Sequence, residues 1–163
     1  MATVLKNLSD YDAGKVPSGR GMRFAIITAE WNSEITFALR DGAVATLKKH
    51  QVPDADIELM HVPGAFELTL GAQWSGSRDD IDAVICLGCV IRGETPHFDF
   101  ICQGVTYGLT ELNISLEKPV IFGVLTTNNL EQAQERAGGR HGNKGDEAAV
   151  TALKMLALRR QEF

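Results

Sequence analysis

Short apolar runs alternate along the chain with stretches of helical periodicity. The run Phe24–Thr28 precedes a helical stretch from Ser33, and the unbroken apolar run Ala83–Ile91 precedes another from His97. Short continuous apolar runs are typical of strands buried on both faces, whereas apolar residues three or four positions apart indicate an amphipathic helix. In chain order, the predicted strands are Phe24–Thr28, Asp56–Val62, Ala83–Ile91 and Val120–Leu125.

Helical spacing follows each predicted strand. A second helix, entered at Pro63-Gly64, is predicted from Phe66, Leu70, Gln73 and Trp74, and two more from Asn129 to Ala137 and from about Gly145 to Arg160, with a glycine-rich loop between them. Strands that alternate with helices predict a parallel sheet covered on both faces. The predicted fold is therefore a single α/β domain, a three-layer sandwich whose four-stranded parallel sheet is flanked by helices in a doubly wound, flavodoxin-like arrangement.

The predicted domain covers residues 21–163 and follows an extended N-terminal arm, residues 1–20, with scattered glycine, proline and polar positions. A length of 163 residues suits one domain, and 44% hydrophobic with 23% charged residues is ordinary for a globular protein. The net charge of −5 offers no general attraction for nucleic acid. No stretch reads as a signal peptide or a membrane span, so we expect a cytoplasmic protein with no membrane partner.

The three cysteines have two readings. Cys86 and Cys89 have the C-x-x-C spacing of redox and zinc sites, but they lie in an apolar strand pattern whose alternate residues face opposite sides of a sheet. The odd number, completed by Cys102, also argues against a disulfide framework. We therefore expect buried thiols, and no metal site.

Segments that leave the predicted strands carry the candidate chemistry. In open α/β sheets, ligands bind outside the carboxyl ends of the strands, near a reversal of strand order. The segments that meet there are Ala29–Asn32, Val62–Glu67, Arg92–His97 and Thr126–Asn128. They bring an indole, a carboxylate, a flexible backbone beside a hydroxyl, and an imidazole to one rim.

Each of these groups has a functional and an ordinary interpretation. Trp31 either stacks on a planar heterocycle or covers an edge of the core. Glu67 either binds ligand hydroxyls or is a solvated carboxylate at a helix start. The Gly93–Thr95 backbone either holds a phosphate at a helix N-terminus or forms a turn. His97, where a helix start disfavours the imidazolium, either exchanges protons or is a surface side chain.

The stretch Glu135–Ala148 concentrates cationic groups in an acidic protein. Its basic residues are Arg136, Arg140, His141 and Lys144. Such a cluster suits an anionic ligand. Salt bridges to Glu131 or Glu135 are the alternative explanation.

Four motifs carry a resemblance to a known family. They are VPGAFEL (Val62–Leu68), GCVIRGETPHFDF (Gly88–Phe100), PVIFGVLTTNNLEQAQERAGG (Pro119–Gly139) and GNKGDEAAVTAL (Gly142–Leu153). From about Arg23 to the C-terminus, the chain resembles the 6,7-dimethyl-8-ribityllumazine synthases. This resemblance implies a transferase of riboflavin biosynthesis, which condenses 5-amino-6-ribitylaminouracil with 3,4-dihydroxy-2-butanone 4-phosphate and releases phosphate. It implies no cofactor.

The same resemblance implies residue roles. His97 would be the proton shuttle, the Gly93, Glu94 and Thr95 backbone together with Arg136 would hold the phosphate, and Trp31 would stack on the pyrimidine. The other implied substrate-binding positions are Asn32, Ala65, Phe66, Glu67, Cys89, Val90, Ile91, Lys144, and Phe122 from a neighbouring subunit.

The resemblance further implies a homo-oligomer, either a pentamer or an icosahedral shell of pentamers, with active sites between subunits. The short Gly138–Gly145 loop favours the shell. We expect His97, Arg136 and Trp31 to share one pocket at the subunit boundary. The rival interpretations are a flavodoxin-like module that binds a flavin or nucleotide without chemistry, and a non-catalytic flavin-storage protein on the same scaffold.

Overall fold

The computed structural model describes residues 7–162. Its strands are β1 (Phe24–Ala29), β2 (Ile57–Val62), β3 (Ala83–Ile91), β4 (Val120–Thr127), β5 (Ala137–Gly139) and β6 (Gly142–Asn143). Its helices are α1 (Ser33–Lys49), α2 (Leu68–Gly76), α3 (His97–Ser115), α4 (Leu130–Gln134) and α5 (Lys144–Glu162). Single 3-10 turns lie at Ala13–Lys15 and Asp54–Asp56.

Strands β1 to β4 form one parallel sheet in the order β2-β1-β3-β4. Phe24 of β1 lies opposite Ile57 on one side and Ala83 on the other. The chain therefore moves outward from β1 to β2, and then crosses to the other side of β1 to form β3. This reversal is the switch point that a doubly wound sheet requires, and the predicted fold class is confirmed.

Two hydrophobic cores cover the two faces of this sheet. Phe24 and Ile26 of β1 point toward α1 and α5, where they join Leu39 and Leu153. Their neighbours in β1, such as Ile27, point toward α2 and α3, because successive side chains of a strand face opposite sides. Complete burial of a side chain of this size contributes about 1.5–3 kcal/mol, which makes both layers necessary to the fold.

Helix α2 is present, but two of its large apolar side chains, Leu70 and Trp74, do not enter the core. Leu70 and Trp74 are half exposed or more. The buried face carries Leu68 and the small residues Gly71 and Ala72. A Cβ on Gly71 would lie 3.0 Å from side-chain atoms of both Ile27 and Val62, so small residues let this helix approach the sheet closely. Leu70 and Trp74 consequently face away from the core.

The segment after β4 differs most from its prediction. The predicted helix from Asn129 to Ala137 ends instead at Gln134, with the Asn129 side chain accepting a hydrogen bond from the Gln132 amide at 2.9 Å. The glycine-rich loop forms the antiparallel hairpin β5–β6, in which Ala137 pairs with Asn143. The φ of +110° at Gly138 suits a glycine, and this residue lies at the irregularity in the hairpin register between Ala137 and Gly139.

Part of the predicted arm packs against the domain. Residues 1–6 of the arm lie outside the described residues. In the part that follows, Leu8 and Val16 are buried, and Tyr11 lies beside His50 at the end of α1, with 5.8 Å between ring centroids. The domain boundary after residue 20 stays a prediction.

Helices α1 and α5 pack in direct backbone contact at Gly145. A Cβ at Gly145 would overlap the carbonyl oxygen of Leu39 and lie 3.0 Å from the backbone nitrogen of Ala43. Neither contacting atom belongs to a flexible side chain that could move aside. Glycine at this position therefore sets the separation of two of the helices that cover the sheet.

We predict that Gly145→Ala lowers the free energy of unfolding by about 2–3 kcal/mol, because the added methyl group forces α1 and α5 apart. Chemical denaturation followed by circular dichroism measures this change. Gly93→Ala is the matched control, since a Cβ at Gly93 has no atom within 4 Å. Equal stability of the two variants would contradict this account of the α1–α5 contact.

Candidate active site

A cleft of about 520 Å3 opens at the carboxyl ends of β1 and β3, where the strand order reverses. It lies at the rim on which the candidate chemistry was predicted. The cleft is lined by Trp31, Asn32, Gly64, Ala65, Phe66, Glu67, Cys89, Val90, Ile91, His97 and Ile101.

The turn after β1 forms one wall of the cleft. The Glu30 amide donates to the Val62 carbonyl at 2.8 Å, and the Trp31 amide donates to the Pro63 carbonyl at 3.1 Å. Asn32 adopts a left-handed conformation, with φ 60° and ψ 45°, and its Nδ2 donates to the Cys89 carbonyl at 2.9 Å. These bonds tie the turn to both neighbouring strands. They hold Trp31 at the cleft with 73% of its surface exposed.

The segment between β2 and α2 forms a second wall. Phe66 is 59% exposed. The cleft is therefore bordered by two aromatic rings, those of Trp31 and Phe66, that are largely exposed rather than packed in the core. The Glu67 carboxylate folds back toward Gly64, where a Cβ would lie 3.0 Å from Glu67 Oε2. Exposed rings beside a carboxylate can bind a planar heterocycle that carries hydroxyl groups.

The end of β3 contributes apolar surface and an unreactive thiol. Burial raises the pKa of Cys89 to about 12, and burial also raises the pKa of Cys86. Both cysteines are free and buried, as predicted. Because a thiolate is the form that attacks or binds metal, neither is suited to redox or zinc chemistry.

His97 is the first residue of α3, as its sequence position predicts, and its exposed side chain borders the cleft. The nearby Arg92 is engaged elsewhere: its Nη2 contacts Asp99 Oδ1 at 3.1 Å, and its guanidinium lies 4.2 Å from the centre of the Phe98 ring. Arg92 thus secures the β3–α3 connection. Apart from the buried Cys89 thiol, the ionisable side chains that line the cleft are Glu67 and His97.

Six of the predicted site residues do not line this cleft within a single chain. They are Gly93, Glu94, Thr95, Phe122, Arg136 and Lys144. The first three form an exposed turn directly before His97. Phe122 lies in β4, at the edge of the sheet, with 37% of its surface exposed. The single-chain cleft consequently brings together the aromatic, carboxylate and imidazole groups, but not the predicted phosphate-binding cations.

The basic stretch near the C-terminus resolves into paired and unpaired cations. Arg140 Nε contacts Glu135 Oε1 at 2.8 Å, and Lys144 Nζ contacts Glu147 Oε2 at 3.1 Å. Arg136 instead donates from Nη1 to the Gln132 carbonyl at 2.9 Å. Within residues 7–162 it makes no ion pair with a carboxylate. Salt bridges therefore account for part of the cluster but not for Arg136.

Two lining residues were not singled out from the sequence. Gly64 follows Pro63 at the exit of β2, and its small size leaves space for the Glu67 carboxylate. Ile101 lies one helical turn after His97 and therefore on the same side of α3. The i, i+4 spacing from His97 was the available signal for Ile101.

A metal-binding cluster and a membrane-spanning helix were both sought in the part of the chain that the structure describes. It contains no group of three or more histidine, cysteine, aspartate or glutamate side chains that could hold a metal ion. Over the same residues, no helix combines the length and apolar character needed to cross a bilayer.

Comparison with known proteins places this chain in a family. The family model described as 6,7-dimethyl-8-ribityllumazine synthase matches residues 21–160, most of the chain. The chain belongs to the 6,7-dimethyl-8-ribityllumazine synthase family. A relative of that name from Cytophaga hutchinsonii is 61% identical over 157 residues, which cover 96% of this chain and 98% of the relative. Another from Porphyromonas gingivalis is 58% identical over 160 residues, which cover 98% of this chain and 99% of the relative. A third, from Christiangramia forsetii, is 48% identical over 161 residues, which cover 98% of this chain and 96% of the relative.

The hydrogen bond from the Asn32 side chain to the Cys89 carbonyl, which holds the β1–α1 turn, can be tested by substitution of Asn32. We predict that Asn32→Ala lowers the free energy of unfolding by about 1–3 kcal/mol, because it removes the bond to the Cys89 carbonyl and places alanine in a left-handed conformation. Asn32→Gly, which loses the bond but tolerates the backbone conformation, should cost less. Denaturant titration of both variants measures the order. An alanine variant as stable as the wild type would mean that this turn is held by other contacts.

Proposed function

We propose that this chain catalyses the condensation of 5-amino-6-ribitylaminouracil with 3,4-dihydroxy-2-butanone 4-phosphate to form 6,7-dimethyl-8-ribityllumazine. The observation that carries the proposal is the cleft at the strand-order reversal, where His97 lies among Trp31, Phe66 and Glu67 in a chain of the lumazine synthase family. The reaction joins two small molecules. Holding them in a productive orientation supplies much of its acceleration.

The cleft residues suit the pyrimidine substrate. The exposed faces of Trp31 and Phe66 provide stacking surface for the ring. The Glu67 carboxylate accepts hydrogen bonds from ribityl hydroxyls. The implied contributions of Asn32, Ala65 and the backbone of residues 89–91 are to shape the pocket around the ring.

His97 moves protons through the reaction. The substrate amine attacks the ketone of the four-carbon substrate, and loss of water leaves an imine. Removal of a proton from the carbon beside the imine as phosphate departs leaves an enol, which becomes a ketone by proton transfer. The ribitylamino nitrogen then closes on this ketone with loss of a second water. A neutral imidazole accepts a proton at one of these steps and returns it at another. No step requires electron transfer or a metal-bound group.

Phosphate binding uses the turn that precedes α3 together with two cations at the base of the β5–β6 hairpin. The exposed backbone of residues 93–95 precedes the N-terminus of the 19-residue helix α3, where amide groups and the helix dipole favour an anion. The guanidinium of Arg136, which has no carboxylate partner among the described residues, supplies charge and directional hydrogen bonds. Lys144 adds a second cation, shared with Glu147.

The active site is completed by a neighbouring copy of the chain. Arg136, Lys144 and Phe122 do not line the cleft of their own chain, and this supports a site assembled between adjacent subunits of a homopentamer. Large apolar side chains stand exposed along one side of α3: Phe100, Tyr107 and Ile114 are each more than 70% exposed at seven-residue spacing. Exposed apolar surface of this kind is typical of an interface.

Twelve such pentamers would form the proposed icosahedral shell. The shell is favoured by the short connection between β5 and β6, which leaves no long insertion in the Gly138–Gly145 region. Light scattering distinguishes it from a free pentamer by mass. The cytoplasmic location expected from the sequence stays a prediction.

The non-catalytic flavin-storage alternative has weaker support. The relatives reported above bear the name of a synthase, and no observation favours storage over catalysis. A storage protein would also leave His97 and the unpaired Arg136 without a purpose. It would retain a flavin and produce no lumazine.

We predict that the purified protein forms lumazine from the two substrates. The absorbance of the lumazine product measures this reaction. His97→Ala should retain measurable activity, because substrate orientation survives the substitution. Arg136→Ala should raise the KM for the phosphorylated substrate by roughly 10- to 100-fold, the equivalent of a lost charge-assisted hydrogen bond. Arg140→Ala is the matched control, since Arg140 is paired with Glu135.

Two outcomes would count against these roles. An Arg136→Ala enzyme with normal KM for the phosphorylated substrate would remove Arg136 from the phosphate site. A wild-type protein that binds both substrates without forming lumazine would contradict the proposed reaction itself.

The shared site is tested by mixing subunits. His97→Ala and Arg136→Ala each damage a different side of the proposed boundary. In randomly mixed rings of the two variants, about one site in four pairs an intact His97 with an intact Arg136. Co-expressed variants should therefore show more activity than the mean of the two pure variants. Activity equal to that mean would indicate that each chain supplies both residues to the same site.

A further inference from the structure

The N-terminal segment crosses the β5–β6 hairpin and bonds to it at several points. The Leu8 amide donates to the His141 carbonyl at 2.7 Å, and the Asn143 amide donates to Ser9 Oγ at 2.9 Å. Asn7 Nδ2 donates to the Arg140 carbonyl at 3.3 Å. We call residues Asn7–Ser9 the strap.

The close approach of the strap depends on a glycine in the hairpin. Gly142 has a φ of +78°, and a Cβ there would overlap Asn7 Oδ1 and lie 2.6 Å from the Ser9 nitrogen. The strap also has an apolar anchor, because Leu8 is only 7% exposed. These contacts indicate a fitted interface between the strap and the hairpin.

The hairpin joins the two cations assigned to the phosphate. Arg136 precedes β5 and Lys144 follows β6, and the Lys144 amide donates to the Arg136 carbonyl at 2.9 Å. The two residues are thus held at the same end of the hairpin. A shift of the hairpin would move both cations together.

Asn143 links the strap to the rest of the domain. Its Nδ2 donates to the Ala38 carbonyl in α1 at 2.9 Å, and its Oδ1 accepts from the Gly145 amide at the start of α5 at 2.7 Å. Its own amide is the donor to Ser9. The hairpin is therefore held by α1 through the Asn143 side chain and by the strap through the Asn143 backbone.

We propose that the strap is a positioning element for Arg136 and Lys144 and sets the affinity for the phosphorylated substrate. This inference rests on the proposed function, because it takes these two cations as the phosphate-binding groups. The strap residues do not line the cleft. Ser9 acts through Asn143, and Asn7 acts through the backbone at Arg140, to hold the hairpin in place.

The test compares substitutions within the strap. Ser9→Ala removes the acceptor for the Asn143 amide, and should raise the KM for the four-carbon phosphate about three- to tenfold, as expected for one net hydrogen bond. The kcat and the KM for the pyrimidine should stay within twofold of wild type. Ser9→Thr keeps the hydroxyl and should restore the KM. Asn7→Ala should act in the same direction as Ser9→Ala.

Ser18→Ala is the matched control, because Ser18 bonds Gln51 at 2.8 Å and has no bond to the hairpin. Calorimetric binding of inorganic phosphate is a second readout that needs no turnover, and Ser9→Ala should weaken it by the same factor. An unchanged KM and unchanged phosphate binding, or equal rises of KM for both substrates, would overturn the role of the strap. A wild-type protein that forms no lumazine from the two substrates would instead overturn the proposed function.

Discussion

The pairing of β1 with two neighbours is the constraint on which the rest of the structure depends. Strand β1 is buried along its whole length and bonds in parallel to β2 on one side and β3 on the other. Since all three strands run the same way, their exits meet at one edge of the sheet. Since the strand order reverses at β1, the following helices leave toward opposite faces, and a cleft opens between the exits. The position of the candidate active site follows from this arrangement.

The polar groups near the cleft divide into those that hold the scaffold and those left available to a ligand. Asn32 bonds the Cys89 carbonyl, and Arg92 pairs with Asp99. His97 and Glu67 face the cleft, and neither has such an ion pair within the part of the chain that the structure describes. This division matters because a polar group already satisfied by the protein gains little from a ligand. It separates residues that shape the pocket from residues proposed to act on the substrates.

A single chain contains only part of the proposed machinery. Its cleft offers aromatic, carboxylate and imidazole groups, whereas Arg136 belongs to the region of the β5–β6 hairpin. The proposal that a neighbouring subunit supplies the cations joins this separation with the exposed apolar stripe on α3. In that arrangement, the strap and Asn143 govern the site of one subunit while they belong to another. Assembly and affinity for phosphate would then share a physical basis.

Most of the architecture could be predicted from the sequence, because it depends on local patterns. The apolar run Ala83–Ile91 matches β3 residue for residue, and α3 begins at His97 as predicted. Nine of the site residues that the family resemblance implies line the cleft. Apolar runs, helical spacing and strand–helix alternation act over a few residues, so they determined the layers, the parallel sheet and the rim where the site lies.

Other features were decided only by tertiary structure, because they depend on distances between elements remote in sequence. Helix α2 buries its small residues rather than Leu70 and Trp74, since Gly71 must fit against Ile27 and Val62. The hairpin depends on the backbone conformation of its glycines and on its contacts with the strap and α1. Whether Arg136 reaches the cleft of its own chain likewise depends on the packing of the whole domain, and periodicity along the sequence contains no measure of that distance.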